Sequence, residues 1–172
     1  FTEIDEGNLQ YGPIILNDVV THDFGHDGAG TITPAGLFQA KFAPNGAVVN
    51  LASDGDAVNV TTTANGYIGT ANGRTIFDIA INPSTGAYRF TQYDAIDHPD
   101  ASDPDDVIWL LFHTTITDKD GDADTAVIGI DIHDDAPNAV NDTASLSQSQ
   151  TTRTGNVLTN DDSGVDNTNF AV

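Results

Sequence analysis

Ile76-Phe77-Asp78-Ile79-Ala80-Ile81, then Asn82-Pro83-Ser84-Thr85-Gly86, then Ala87-Tyr88-Arg89-Phe90-Thr91-Gln92-Tyr93: this stretch decides how the chain is to be read. A strand period of two puts Ile76, Asp78 and Ala80 on one face and Phe77, Ile79 and Ile81 on the other. The second run alternates as plainly, with Tyr88 and Phe90 on one side. The five residues between them are turn formers, and Gly86 can take the positive φ that closes a hairpin loop.

The same texture extends in both directions. Short runs rich in Val, Ile, Thr and aromatics, punctuated by Gly, Asn, Asp and Pro, predict strands over 37–42, 47–51, 57–63, 67–70, 75–81, 87–93, 107–117 and 125–133. Val127, Gly129 and Asp131 oppose Ile128, Ile130 and Ile132 in a further half-buried strand. Val107-Ile108-Trp109-Leu110-Leu111-Phe112 is apolar on both faces, which suits a central strand or a short helix, and periodicity does not choose between them. No segment sustains a helical period.

Charge adds a second constraint. Five Lys and Arg face 26 acidic residues, a formal charge of −21, and of those acids only Glu3 and Glu6 are glutamate. Aspartate favours turns and caps and is depleted from strands and helix interiors. A nearly pure aspartate population therefore places short carboxylates in bends, where hard cations are chelated. Self-repulsion of this size opposes compaction, and divalent ions bound only by the folded state offset it. The expected fold is an all-β, calcium-stabilised antiparallel β-sandwich of immunoglobulin or cadherin type, with little helix. A surface this acidic disfavours nucleic acid and anionic membrane, and no apolar run is long enough to span a bilayer. The chain has no cysteine, which excludes disulfides, thiol chemistry and thiolate zinc sites.

Four carboxylate groups are candidate cation sites. Asp118-Lys119-Asp120-Gly121-Asp122-Ala123-Asp124 puts a carboxylate at every second position between two strands, with a glycine for the turn, as in the first half of an oxygen-ligand calcium loop. No glutamate follows at the closing position, so a full EF-hand is excluded. Asp94, Asp97, Asp100, Asp103, Asp105 and Asp106 crowd a loop interrupted by Pro99 and Pro104. That loop is expected to bind calcium and, through Asp97, Asp100 and Asp103, a ligand. Asp23 and Asp27, with Asp18, belong to a glycine-rich third group. Asp134 and Asp135, with Asn138, Asn141 and Asp142, form a fourth group astride Ala136-Pro137. Asp54-Gly55-Asp56 reads more as a turn than as a site.

That fourth group marks a boundary. Proline cannot continue a central strand, and the composition then shifts to Ser, Thr, Gln and Asn. Gly7-Asn8-Leu9, Leu16-Asn17-Asp18 and Gly25-His26-Asp27-Gly28 find a loose echo in Gly155-Asn156-Val157-Leu158, Asn160-Asp161 and Gly164-Val165-Asp166. Residues 1–137 are expected to form one calcium-binding module. Residues 138–172 are expected to be a linker with the start of the next repeat, or an extension packed on the first module. The opening at Phe1 reads as a segment of a longer chain. Catalysis is not expected: His22, His26, His98, His113 and His133 show no pair at metal-ligand spacing and read as structural. No nucleophile elbow, phosphate loop or zinc-protease signature is present.

Tyr88-Arg89-Phe90-Thr91, Asp97-His98-Pro99, Thr117-Asp118-Lys119-Asp120-Gly121-Asp122 and Asp131-Ile132-His133-Asp134-Asp135-Ala136-Pro137, in that order, resemble the repeat module of giant repeats-in-toxin (RTX) adhesins over about residues 7–137. The resemblance implies a module loaded with several calcium ions, exported by type I secretion and folded at the bacterial cell surface. It implies a role in adhesion or biofilm formation, by binding a cell-surface peptide or protein end or a glycan, or as a stalk extender without a ligand. The other partners implied are neighbouring adhesin modules in the same chain. The unit is expected to be a monomer, with no enzyme activity, no nucleic-acid partner and no membrane insertion.

Overall fold

The computed structural model describes residues 1–26, 28–100, 102–161 and 164–165. Among the described residues twelve strands carry the fold: β1 (Thr2–Asp5), β2 (Ile14–Val19), β3 (Thr31–Phe42), β4 (Ala47–Val48), β5 (Ala52–Ser53), β6 (Asp56–Ala57), β7 (Asn59–Thr63), β8 (Gly66–Ala71), β9 (Arg74–Ile81), β10 (Ala87–Gln92), β11 (Val107–Thr117) and β12 (Ala123–His133). One five-stranded sheet runs β1-β12-β11-β3-β4, the other β2-β10-β9-β8-β7, and β5 and β6 form a small separate hairpin. The fold is an all-β sandwich. Every pairing is antiparallel except β1 with β12, where Thr2 to Asp5 lie in parallel register with Ile130 to His133.

The quoted hairpin is β9–β10, with Tyr88 opposite Ile81 and Phe90 opposite Ile79. Asn82 closes its loop by accepting the backbone N–H groups of Ser84 and Thr85. Phe77, Ile79, Ile81, Tyr88 and Phe90 are buried, so the predicted alternation is the core face of that sheet. Ile76, on the opposite parity, is buried too: its carbonyl accepts the N–H groups of Tyr93 and Asp94, where the chain folds across the end of the sheet. The ambiguous run 107–112 is the start of β11, a strand flanked by β12 and β3. Ile108, Leu110 and Phe112 point into the core, while Trp109, on the outer face, stacks on Phe1.

At the centre of the sandwich Phe112 meets Phe38, Tyr67, Phe77 and Phe90 at centroid separations of 5.1 to 6.0 Å. Rings from both sheets thus close on one point, three of the pairs tilted and the Phe77 pair edge-on. The Tyr67 hydroxyl crosses the core to the Leu37 and His113 carbonyls, which satisfies its buried polar end. Desolvation by burial raises its pKa above the ordinary value of 10.0.

Two connections position the groups discussed next. Between β1 and β2 a 3-10 turn, Glu6–Tyr11, carries the chain from one sheet to the other. Asp5 caps this turn by accepting the Gly7 N–H at 2.9 Å, and Glu6 is fully buried inside it. The β11–β12 hairpin is in register from Val107 opposite His133 to Thr117 opposite Ala123. Asp106 and Asp134 therefore sit at one end of it, and the loop 118–122 at the other. After His133 the described residues contain no further strand. Asp161 accepts the Val140 N–H at 2.7 Å, and Val165 donates back to the Asp135 carboxylate at 2.9 Å. No helix among the described residues is long and apolar enough to cross a membrane.

Candidate functional site

The loop joining β11 to β12 is built around Asp118. Its Oδ1 accepts the N–H groups of Gly121 at 3.0 Å and Asp122 at 2.8 Å, while its own N–H reaches the Asp122 carbonyl. Gly121 sits at φ 105°, a conformation that suits glycine and gives the loop its sharp reversal. The result brings carboxylate oxygens of Asp118, Asp120 and Asp122 within 4.8 Å of one another. At that spacing the charged carboxylates repel one another. The Asp118 carboxylate is held below its ordinary 3.8, first by its side-chain hydrogen bond with Asp120 and then by loop N–H groups. Asp120 is pushed up by the same hydrogen bond and by the Asp118 charge. A divalent cation relieves this repulsion, and three carboxylates form the all-oxygen donor set that a hard cation takes.

A second segment closes over this loop. An ideal Cβ on Gly30 would lie 1.8 Å from the Thr117 carbonyl oxygen and 2.6 Å from Asp118 Cα, so only glycine permits the approach. In consequence Asp23, Phe24 and Gly25 line one open cavity of about 260 Å³ together with Ile116, Asp118, Asp122, Ala123 and Asp124. The first and third predicted groups thus converge. Asp23 accepts the Gly25 N–H and Asp124 the Thr125 N–H, which fixes each carboxylate at the cavity wall. Asp27 lies outside the described residues.

The loop 94–106 is arranged differently. Asp94 pairs with Arg74, which also meets Asp54 at 3.1 Å. Asp97 accepts the Gly55 N–H, Asp100 the Ser102 N–H and hydroxyl, and Asp103 the Asp105 N–H. Asp105 faces His133 at 3.3 Å. Aspartate caps turns through its own side chain, and here that local chemistry disperses the carboxylates. Asp97, Asp100 and Asp103 do not form a common cluster among the described residues. Asp54 and Gly55, both at positive φ, are the two-residue turn of the β5–β6 hairpin, as their sequence suggested.

Asp106 turns inward instead. It is buried, bonds His98 Nδ1, and accepts the Asp100 N–H at 2.7 Å. His98 Nε2 then lies 3.7 Å from Glu6 Oε2. Glu6 Oε1 accepts the Ile96 N–H at 3.0 Å and a hydrogen bond from the Gln92 amide. Donor atoms of Glu6, His98 and Asp134 fall within 4.8 Å of one another. Of this group the sequence signalled Asp106 and Asp134, but not Glu6 or His98. A lone glutamate after a short strand and a lone histidine in a loop carry no pattern, and only the sheet-crossing turn brings them together. Asp135 sits beside this group and accepts the Val165 N–H.

A family described as a domain of unknown function (DUF5801) matches residues 2–133, and the chain belongs to that family. No curated protein matches the chain.

Proposed function

We propose that this DUF5801 domain is a calcium-dependent extracellular module of a bacterial repeats-in-toxin adhesin exported by type I secretion, and that it binds a peptide end or a glycan. The observation that carries this reading is the convergence of Asp118, Asp120 and Asp122 within 4.8 Å, with Asp118 and Asp122 lining a cavity that Asp23 and Asp124 also line. Calcium held there supplies a coordination position for a ligand carboxylate or for vicinal hydroxyls. Phe24 and Ile116 give the same cavity apolar walls, so a ligand has both a charged anchor and a surface to pack against. On this reading the ligand binds at the hairpin end rather than over Asp97, Asp100 and Asp103, whose carboxylates accept turn N–H groups.

A second reading, a stalk extender stiffened by calcium, is favoured by the return of Val165 to Asp135 beside the exit of β12. In that reading residues 138–172 begin the next repeat and the junction is the functional part. A peptide-end and glycan array probed with calcium, and again with chelator, separates the two. Calcium-dependent hits abolished by Asp122→Ala support adhesion. A blank array, together with scattering that shows a two-module chain stiffening in calcium, supports the extender.

A further inference from the structure

The buried group at the other end of the hairpin has a donor chemistry that calcium does not explain. His98 has a side chain only 3% exposed, and its Nε2 has no hydrogen-bond partner. A buried ring nitrogen in that state is costly unless something occupies it. Its other nitrogen, Nδ1, is bonded to the buried Asp106 carboxylate, whose second oxygen is held by the Asp100 N–H. A carboxylate on Nδ1 fixes the tautomer with the Nδ1 proton and leaves the Nε2 lone pair facing outward from the pair. Metal-ligating histidines have this arrangement behind them.

What Nε2 faces is a pair of carboxylates. Glu6 Oε2 is 3.7 Å away, and an Asp134 carboxylate oxygen completes a set within 4.8 Å. Bonds of about 2.0–2.1 Å at a tetrahedral ion separate neighbouring ligand atoms by roughly 3.4 Å. The His98–Glu6 spacing therefore needs to close by only a few tenths of an ångström. Each carboxylate is also held by a backbone N–H: Glu6 Oε1 by that of Ile96, and Asp134 Oδ1 by that of Asp135 at 2.8 Å. Imidazole with carboxylates selects a borderline transition ion, whereas calcium takes oxygen alone.

We propose that Glu6, His98 and Asp134 form a site for a single divalent transition ion of the zinc type, with Asp106 orienting the imidazole. The ion ties together three segments distant in sequence: the turn by which the chain changes sheets, the loop 94–106, and the exit from β12. The site is independent of the calcium loop. The eleven residues of β11, at about 3.3 Å each, place the two ends of the hairpin on the order of 35 Å apart.

The test is zinc titration of the full chain held in excess calcium, by calorimetry, with cobalt(II) visible spectra as a second readout. One ion is expected, with cobalt d–d bands of a low-coordinate nitrogen–oxygen site. His98→Gln should weaken zinc by more than about a hundredfold and Asp106→Asn by about 10- to 100-fold, while Asp56→Ala leaves zinc affinity unchanged. Should a variant fail to fold, nitrogen-15 spectra of the wild-type histidines decide the matter, since zinc must shift the His98 Nε2 resonance. Zinc affinity equal in wild type and His98→Gln, a His98 resonance untouched by zinc, or a His98 ring found doubly protonated between Glu6 and Asp106 would each overturn the proposal.

Discussion

Replacing Phe112 by alanine removes the ring on which four others, drawn from both sheets, converge. Phe112 is fully buried, and four aromatic neighbours lie 5.1 to 6.0 Å from its centroid. Two of them, Phe77 and Phe90, stack on each other and cannot both move into the space. Such a site collapses poorly, so the cost belongs at the upper end of the roughly 3–5 kcal/mol seen for Phe→Ala in cores. Against a total stability of about 5–15 kcal/mol that is a large fraction. For a domain of this size it corresponds to a fall in Tm of roughly 10–15 °C. Urea unfolding in saturating calcium measures it directly, with Phe112→Leu expected to lose about half as much and Val127→Ala, on the exposed face of β12, under about 0.5 kcal/mol. A Phe112→Ala chain that unfolds within about 1 kcal/mol of wild type, at unchanged m-value, would refute the idea that the two sheets close on this ring.

Two further outcomes concern the hairpin loop. In calcium-free protein, carbon-13 carboxyl titration should find Asp118 protonating below 3.8 and Asp120 above it. The signs oppose: Asp118 favours the folded state above its ordinary pKa and loses that as pH falls through its lowered value. Asp120, binding its proton more tightly when folded, favours the folded state in acid and loses that as pH rises through its raised value. Saturating calcium should abolish the upward shift of Asp120, and two carboxyls titrating together at the ordinary value would contradict the Asp118–Asp120 coupling. Separately, Gly30→Ala forces a methyl against the Thr117 carbonyl and should cost about 1–3 kcal/mol while weakening calcium binding, whereas Asp56→Ala should leave both within error. Equal calcium affinity in Gly30→Ala and wild type, by calorimetry, would detach the 23–30 segment from the site.

Much of the sandwich is legible in the sequence because buried sheets impose a period of two. β9, β10 and β12 show it, β11 is apolar on both faces and reads as a strand or a short helix, and the predicted limits of all four fall within a residue or two of the observed ones. The misses have local causes. The first half of β3 is hidden by Pro34 and Gly36, which read as loop, yet Pro34 sits opposite Thr114, where the register shifts, a position that tolerates proline. β1 and β2 are short and carry acids or amides, and they are strands because β12 and β10 offer them edges. The predicted run 47–51 keeps only Ala47–Val48 as a strand. The run 57–63 divides at Val58, whose N–H bonds the Leu51 carbonyl instead of a sheet partner.

The sites divide along the same line. Asp118, Asp120 and Asp122 are near neighbours in sequence, so their convergence follows from one turn. The meeting of Asp23 with that loop depends on Gly30, whose lack of a side chain signals nothing by itself. In loop 94–106 the carboxylates engage turn N–H groups, Arg74 and His98, so their density along the sequence does not say which of them come together. Glu6 is the least legible residue of all. Glutamates are ordinarily solvated, and its burial follows from the crossing between sheets, not from any pattern around it.

One measurement reaches the core of the account: thermal melting of the wild-type chain in millimolar calcium and in excess EDTA, with Asp122→Ala run beside it. An ion present at about a thousand times its dissociation constant adds about 4 kcal/mol, so wild type should lose roughly 10 °C or more per ion on chelation, and Asp122→Ala correspondingly less. Superimposable wild-type melting curves in calcium and EDTA would contradict it.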